Sequence, residues 1–209
     1  MSYPAPALNR ERLVTTLSTV LERAQEALAP FEWRLVGTGA ALLHGVDLLT
    51  GDVDILVKDR AAVDAFAGAL AAFPSLQSPT LLESSPQYFT RFDVDGVKVE
   101  MSTVEVAFDQ DYSETLGRGP WEHYALLPCG PYLVPTVALE LRLITEFRRQ
   151  RPDRYQPLLA HLAAHGCDLP FVMRGLESAG LPAQTEATVQ AEVLAALADA
   201  PFRSVPTLG

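Results

Sequence analysis

The stretch Asp52-Val53-Asp54-Ile55-Leu56-Val57 sets two carboxylates one residue apart at the head of an apolar, β-branched run. With a side-chain period of two, a strand here puts Asp52 and Asp54 on one face, roughly 6.6 Å apart, and turns Val53, Ile55 and Val57 to the other. An ionised carboxylate carried into an apolar setting costs several kcal/mol unless positive charge answers it. A fold for this chain must therefore bury one face of the strand and bring positive charge to the other. Upstream, Gly37-Thr38-Gly39 separates a short strand pattern, Trp33 to Gly37, from a brief helix expected at about Ala40 to His44, with Gly45 as its C-terminal cap.

The surrounding pattern alternates helix and strand. Asn9 can cap a helix whose apolar positions Leu13, Leu17, Val20, Leu21, Ala24 and Leu28 recur at helical spacing up to Pro30. Asp59 can cap another, in which Val63, Phe66, Ala67 and Leu70 share a face. Gln87 to Thr103 reads as two alternating strands joined at Asp95-Gly96, a pair suited to a tight turn. Val104 to Pro135 is rich in Gly and Pro and reads as a connector holding at most a further short strand. From Thr136, read as a cap, helical patterns run to about Ala200, with breaks at Pro152, Gly166-Cys167 and Gly180 to Pro182. The expected fold class is α/β (α+β). It has a small mixed sheet flanked by helices over residues 1–134, a helical bundle over 135–200 and a loose tail at 201–209.

Composition narrows the function classes. A chain of 209 residues with 48% hydrophobic and 20% charged content can bury a sizeable core. No stretch approaches about 18 uninterrupted apolar residues, and the first residues carry no apolar run of signal length, so the expectation is a cytoplasmic protein without a membrane partner. Two cysteines, Cys129 and Cys167, are too few for a disulfide scaffold. A net charge of -10 disfavours a broad phosphate-binding surface and leaves room only for a local basic patch.

Two acids flanking one residue arise by chance about once in a chain of this length, and Asp93/Asp95 and Asp109/Asp111 repeat the spacing. Context separates Asp52/Asp54, because these open an apolar strand behind a glycine turn. In Val97 to Ser102 the alternation places Lys98, Glu100 and Ser102 opposite Val97, Val99 and Met101, so Glu100 can join the two aspartates from a neighbouring strand. Three such carboxylates suit a pair of divalent cations about 3.5–4 Å apart, a common device for displacement at phosphorus. Gly37 and Gly39 let a ligand approach the backbone, and Thr38 adds a hydroxyl donor.

Gly37-Thr38-Gly39-Ala40, His44-Gly45, and Thr50-Gly51-Asp52-Val53-Asp54, followed by Val97 to Ser102 as a third-carboxylate strand, resemble the signature of the polymerase-β-like nucleotidyltransferase superfamily. The resemblance covers Trp33 to Thr103; the helical remainder is similar only in layout to small bacterial members, the toxin-antitoxin and antibiotic nucleotidyltransferases. Thr38 stands where Gly or Ser is usual, and Glu100 where many members have Asp. The resemblance implies transfer of a nucleoside monophosphate from an NTP to a hydroxyl acceptor with loss of pyrophosphate. It also implies that Asp52, Asp54 and Glu100 hold Mg²⁺ or Mn²⁺ and that Gly37 and Thr38 contact the β- and γ-phosphates. The acceptor stays open between a small molecule, tRNA and a protein hydroxyl, and neither the base nor the oligomeric state is specified.

Other features carry less. His161 and His165 lie one helical turn apart near Cys167, but no fourth ligand is evident, so a half-exposed helix face is the better reading than zinc. Arg148, Arg149, Arg151 and Arg154 cluster near a helix end, where positive charge suits the helix dipole; the functional alternative is a basic lip for a phosphate-bearing acceptor, with Arg142 and Arg151 the best candidates. Lys58 and Lys98 read as solvated surface lysines. Besides the transferase, two readings stand: a catalytically idle copy of the fold that binds nucleotide or a protein partner, and a metal-dependent phosphohydrolase. The last is disfavoured because no histidine lies in the strand motifs.

Overall fold

The computed structural model describes residues 8–83, 87–103 and 119–207. The connector is thus seen only from Gly119 on, and Asp109/Asp111 lie outside the described residues. The chain divides into two compact units, one comprising 1–107 with 126–136 and the other 108–125 with 137–209.

The first unit begins with α1, Arg10–Leu28, capped by the Asn9 side chain, which accepts from the Arg12 N–H at 2.9 Å. All six apolar positions expected to face inward are buried. β1, Trp33–Val36, runs directly into the seven-residue α2, Gly37–Leu43, and Gly45 follows it at φ 97°. β2, Asp52–Val57, leads to α3, Arg60–Ala69, which buries Ala62, Val63 and Phe66; Asp59 occupies the cap position without a side-chain bond. β4, Tyr88–Val94, and β5, Val97–Thr103, form the expected hairpin, in which Asp95 (φ 52°) and Gly96 (φ 79°) supply the two left-handed residues of the turn.

Two regions depart from expectation. Ser75–Leu81 is a strand, β3, and β6, Tyr124–Cys129, and β7, Tyr132–Val137, form a second hairpin turned at Gly130 (φ 58°). Thr136 is therefore not a helix cap. It lies in β7 opposite Leu35, its hydroxyl donates to the Val134 carbonyl, and the cap position falls to Ala138. Among the described residues seven strands stand in the order β3-β4-β5-β2-β1-β7-β6, a mixed sheet: β2 is antiparallel to β1 and parallel to β5, and β1 is parallel to β7. α1 packs on α2 and α3, and α3 packs on β3, β4 and β5, so helices cover Val53, Ile55, Val99 and Met101, none more than 2% exposed.

The second unit is helical, with α4, Leu139–Arg148; α5, Pro152–His165; α6, Leu169–Ser178; and α7, Ala183–Leu197. The breaks fall where Pro152, Gly166 and Gly180 to Pro182 predict them. α4 packs against α5 and α6, and every residue from Leu139 to Phe147 is buried, charged ones included. Residues 201–203, expected to begin a loose tail, are instead tied to the loop before α6: Cys167 N–H donates to the Pro201 carbonyl and Arg203 N–H to the Cys167 carbonyl, each at 3.0 Å.

Candidate active site

The central strands bring the acids together by register. Asp54 of β2 stands opposite Val36 of β1 on one side and Glu100 of β5 on the other, and Glu100 stands opposite Arg91 of β4. Directly opposed residues share a face with their Cβ atoms about 5 Å apart, so Asp54, Glu100 and Arg91 form one row. Two residues earlier on β2 and β5, and two later on the antiparallel β4, Asp52, Lys98 and Asp93 form a second. Asp52 and Asp54 are half-buried, as a strand opening at the rim of a sheet requires.

The glycine turn lies against this row. Gly37 has φ 65°, a conformation side chains disfavour, and a Cβ there would stand 2.0 Å from Asp54 Oδ2 and 3.0 Å from its Cγ. Only glycine fits, because the Asp54 carboxylate rests on the Gly37 backbone. Gly39 carries no such demand, since a Cβ there would meet Leu13 and the Asp52 carbonyl at ordinary contact distances. Thr38 is buried, 6% exposed. Asp52 is steadied by Thr50, whose hydroxyl lies 3.1 Å from the Asp52 carbonyl and 3.4 Å from its Oδ1.

Glu100 is engaged on its other side. Arg91 Nε donates to Glu100 Oε1 at 2.6 Å, with the Arg91 side chain 38% and the Glu100 side chain 17% exposed. Among the described residues, no group of three His, Cys, Asp or Glu side chains is gathered so as to hold a metal ion. The carboxylates nonetheless offer hard oxygen donors of the kind Mg²⁺ and Mn²⁺ prefer: the two aspartates share a face, and the third acid stands across one strand, bonded to a guanidinium.

Neither a protein-family model nor a curated protein matches the sequence. Among solved structures, an antigenic nucleotidyltransferase-like protein from Paracoccidioides brasiliensis aligns with 94% of this chain and 97% of its own, at 15% identity and a TM-score of 0.55. A candidate nucleotidyltransferase from Thermotoga maritima aligns with 77% of this chain and 98% of its own, at 15% identity and a TM-score of 0.52. The chain has a nucleotidyltransferase-like fold. The α/β class expected from the sequence holds with it, as a seven-stranded mixed sheet and seven helices among the described residues.

Within this nucleotidyltransferase-like fold, two residues went unnoticed in the sequence: Thr50, inside the quoted motif, and Arg91. Arg142, proposed for a basic lip, is 2% exposed and paired with Glu146 one turn along α4, so it cannot form a surface lip. Arg151 is bonded to Asp153, which lies below the usual carboxylate range because of that bond, and Arg154 faces Glu146 at 3.7 Å. His161 and His165 stack on each other at 4.1 Å, with no third ligand gathered among the described residues. Lys58 pairs with Glu32.

Proposed function

We propose that the chain transfers a nucleoside monophosphate from a nucleoside triphosphate to a hydroxyl acceptor and releases pyrophosphate. The observation that carries this reading is the contact between the Asp54 carboxylate and the Gly37 backbone: the strand carrying the acids and the turn suited to a phosphate occupy one place. In this reading Asp52, steadied by Thr50, and Asp54 hold the divalent cation, Mg²⁺ or Mn²⁺, and Glu100 completes the set. The bound cation would supply charge neutralisation for the triphosphate and the departing pyrophosphate. Gly37 lets the β- and γ-phosphates approach the main chain, and Thr38 offers its hydroxyl. The acceptor oxygen bonds to the α-phosphorus as the bridge to the β-phosphate breaks, and the hydroxyl proton leaves to solvent. Catalysis of this kind rests on positioning and charge rather than on a protein nucleophile.

Melting with Mn²⁺ and each nucleoside triphosphate tests the site, because a ligand selective for the native state raises Tm. Asp52→Asn and Asp54→Asn should each abolish the joint shift and lower transfer by about three orders of magnitude or more, the loss expected when several kcal/mol of charge stabilisation disappears. A shift retained in the double variant places the site elsewhere. Labelled nucleotide offered with tRNA, aminoglycosides and the protein itself identifies the acceptor. The burial of Arg142 against Glu146, and the pairing of Arg151 and Arg154 with nearby acids, reduce the positive charge open to a polyanion, which supports a small molecule or protein hydroxyl over tRNA. We place the activity in the cytoplasm, because Cys129 and Cys167 are both buried free thiols, as suits a reducing compartment.

The Arg91–Glu100 bond favours a second reading, an idle copy that binds nucleotide without turning it over. Glu100→Gln discriminates between the two. In the active enzyme it should leave triphosphate binding largely intact and lower transfer about 100-fold, since its charge is needed mainly as the transition state forms. A wild type inactive with every acceptor, but activated by Glu100→Asp, would establish the idle copy.

A further inference from the structure

We propose that Arg91 is a positioning residue that holds Glu100 away from the cation site until a cation occupies Asp52 and Asp54. This inference rests on the reading of those acids given above. The register gives Glu100 two neighbours of opposite kind, Asp54 on β2 and Arg91 on β4. Two carboxylates one strand apart repel, and a guanidinium one strand the other way attracts. The chain settles this by directing Glu100 Oε1 to Arg91 Nε at 2.6 Å, and no three-carboxylate group is assembled among the described residues.

A divalent cation held by Asp52 and Asp54 shifts the balance, because it cancels the two carboxylate charges that repel Glu100 and offers that carboxylate a coordination position. The exchange is inexpensive for two reasons. The ion pair is partly solvated, so breaking it costs little. Arg91 also keeps a contact that does not depend on Glu100: its guanidinium carbon stands 5.1 Å from the ring centre of Phe89, two residues back on the same face of β4. Arg91 thus competes with the cation for Glu100, weakens cation binding before nucleotide arrives, and once released stands as a cation beside the row where the triphosphate lies.

Mn²⁺ binding, followed by electron paramagnetic resonance of the free ion in the absence of nucleotide, reads the competition without requiring turnover. Arg91→Gln should tighten Mn²⁺ about three- to five-fold, the factor that release of a partly exposed ion pair allows. Loss of a positive charge near the site would also tighten Mn²⁺, so the decisive comparison is made in Glu100→Gln protein, where Arg91→Gln should change the affinity by less than half as much. Water-proton relaxation should show the same number of coordinated waters on bound Mn²⁺ in wild type and Arg91→Gln, and one more in Glu100→Gln. Equal tightening with and without Glu100, or none, overturns the role of Arg91 and leaves the aspartate site standing. Mn²⁺ binding indifferent to Asp52→Asn and Asp54→Asn overturns the underlying reading instead, and the inference with it.

Discussion

The two units use buried acids in opposite ways. In the first, Asp52 and Asp54 open β2 beside a glycine turn and Glu100 lies midway along β5, all three half-buried, and the Arg91 that answers Glu100 is itself partly in solvent. In the second, Glu140 and Glu146 of α4 are 0% and 2% exposed and answered by Arg203 and Arg142 from within the unit. Pairing alone does not separate the groups, since each contains an Arg–Glu bond. The depth of the acid does: Glu100 is 17% exposed, within reach of a ligand that displaces its guanidinium, whereas Glu140 and Glu146 lie in a helix segment buried throughout, and their ion pairs hold that helix in place although Arg203 is itself 39% exposed.

The largest expected effect tests the second half of that contrast. Arg142→Ala leaves Glu146 buried without its closest guanidinium, with Arg154 at 3.7 Å and with Oε2 lacking a hydrogen-bond partner among the described residues. Uncompensated burial of this sort costs about 3–5 kcal/mol, and thermal unfolding should show Tm lower by roughly 10 °C. Replacing both residues together, Arg142→Met with Glu146→Leu, should recover most of the loss, because a well-packed apolar pair of similar volume is often no worse than the buried ions. A single substitution that leaves Tm within a degree or two would show that α4 holds water, and the contrast would fail.

Gly37→Ala tests the first half at intermediate size. The left-handed φ alone costs about 1–2 kcal/mol for a residue with a Cβ, and the Cβ must also displace the Asp54 carboxylate, 2.0 Å away. Gly130 is a fitting control. It has φ 58°, and its nearest obstacle is the Ser18 hydroxyl at 2.7 Å, a side chain with no part in the proposed site. Both variants should lose Tm, but only Gly37→Ala should also lose the joint stabilisation by Mn²⁺ and nucleoside triphosphate. Equal loss of that stabilisation in both would mean that the glycine turn matters for the fold rather than for the ligand.

The parts of this site that were legible in the sequence are those fixed by local rules. Alternation placed Asp52, Asp54 and Glu100 on common faces, and Asp95-Gly96 fixed the register of its hairpin. That same register pairs Arg91 with Glu100, so the turn itself implies the contact. The missed strands had a physical reason to be missed. β3 includes Pro79 and is mostly exposed, and β6 includes Pro128; both lie at the edges of the sheet, where proline is tolerated and alternation has no buried face to enforce it. Arg142 misled because the i, i+4 spacing of Arg142 and Glu146 marks a pair whether its helix face is wet or dry. The depth of α4 depends on packing partners remote in sequence.

The smallest expected effect concerns Glu140, where burial and pairing pull in opposite directions. Burial pushes its carboxyl up, and Arg203 at 3.3 Å and the Asp168 N–H at 3.4 Å pull it back only in part; Oε2 has no hydrogen-bond partner among the described residues. A carboxyl raised in the folded state stabilises the fold fully below its ordinary value near about 4.3, and that contribution is lost as pH rises through the folded value. Glu140→Gln keeps an acceptor for the Asp168 N–H and removes the titration. The Tm of the variant minus that of the wild type should therefore shift in favour of the variant between about pH 4 and pH 7, other titrating groups being common to both and cancelling. A shift toward the wild type would mean that the Arg203 ion pair outweighs the burial of Glu140, and would bring this site of α4 closer to the exchangeable pair formed by Arg91 and Glu100.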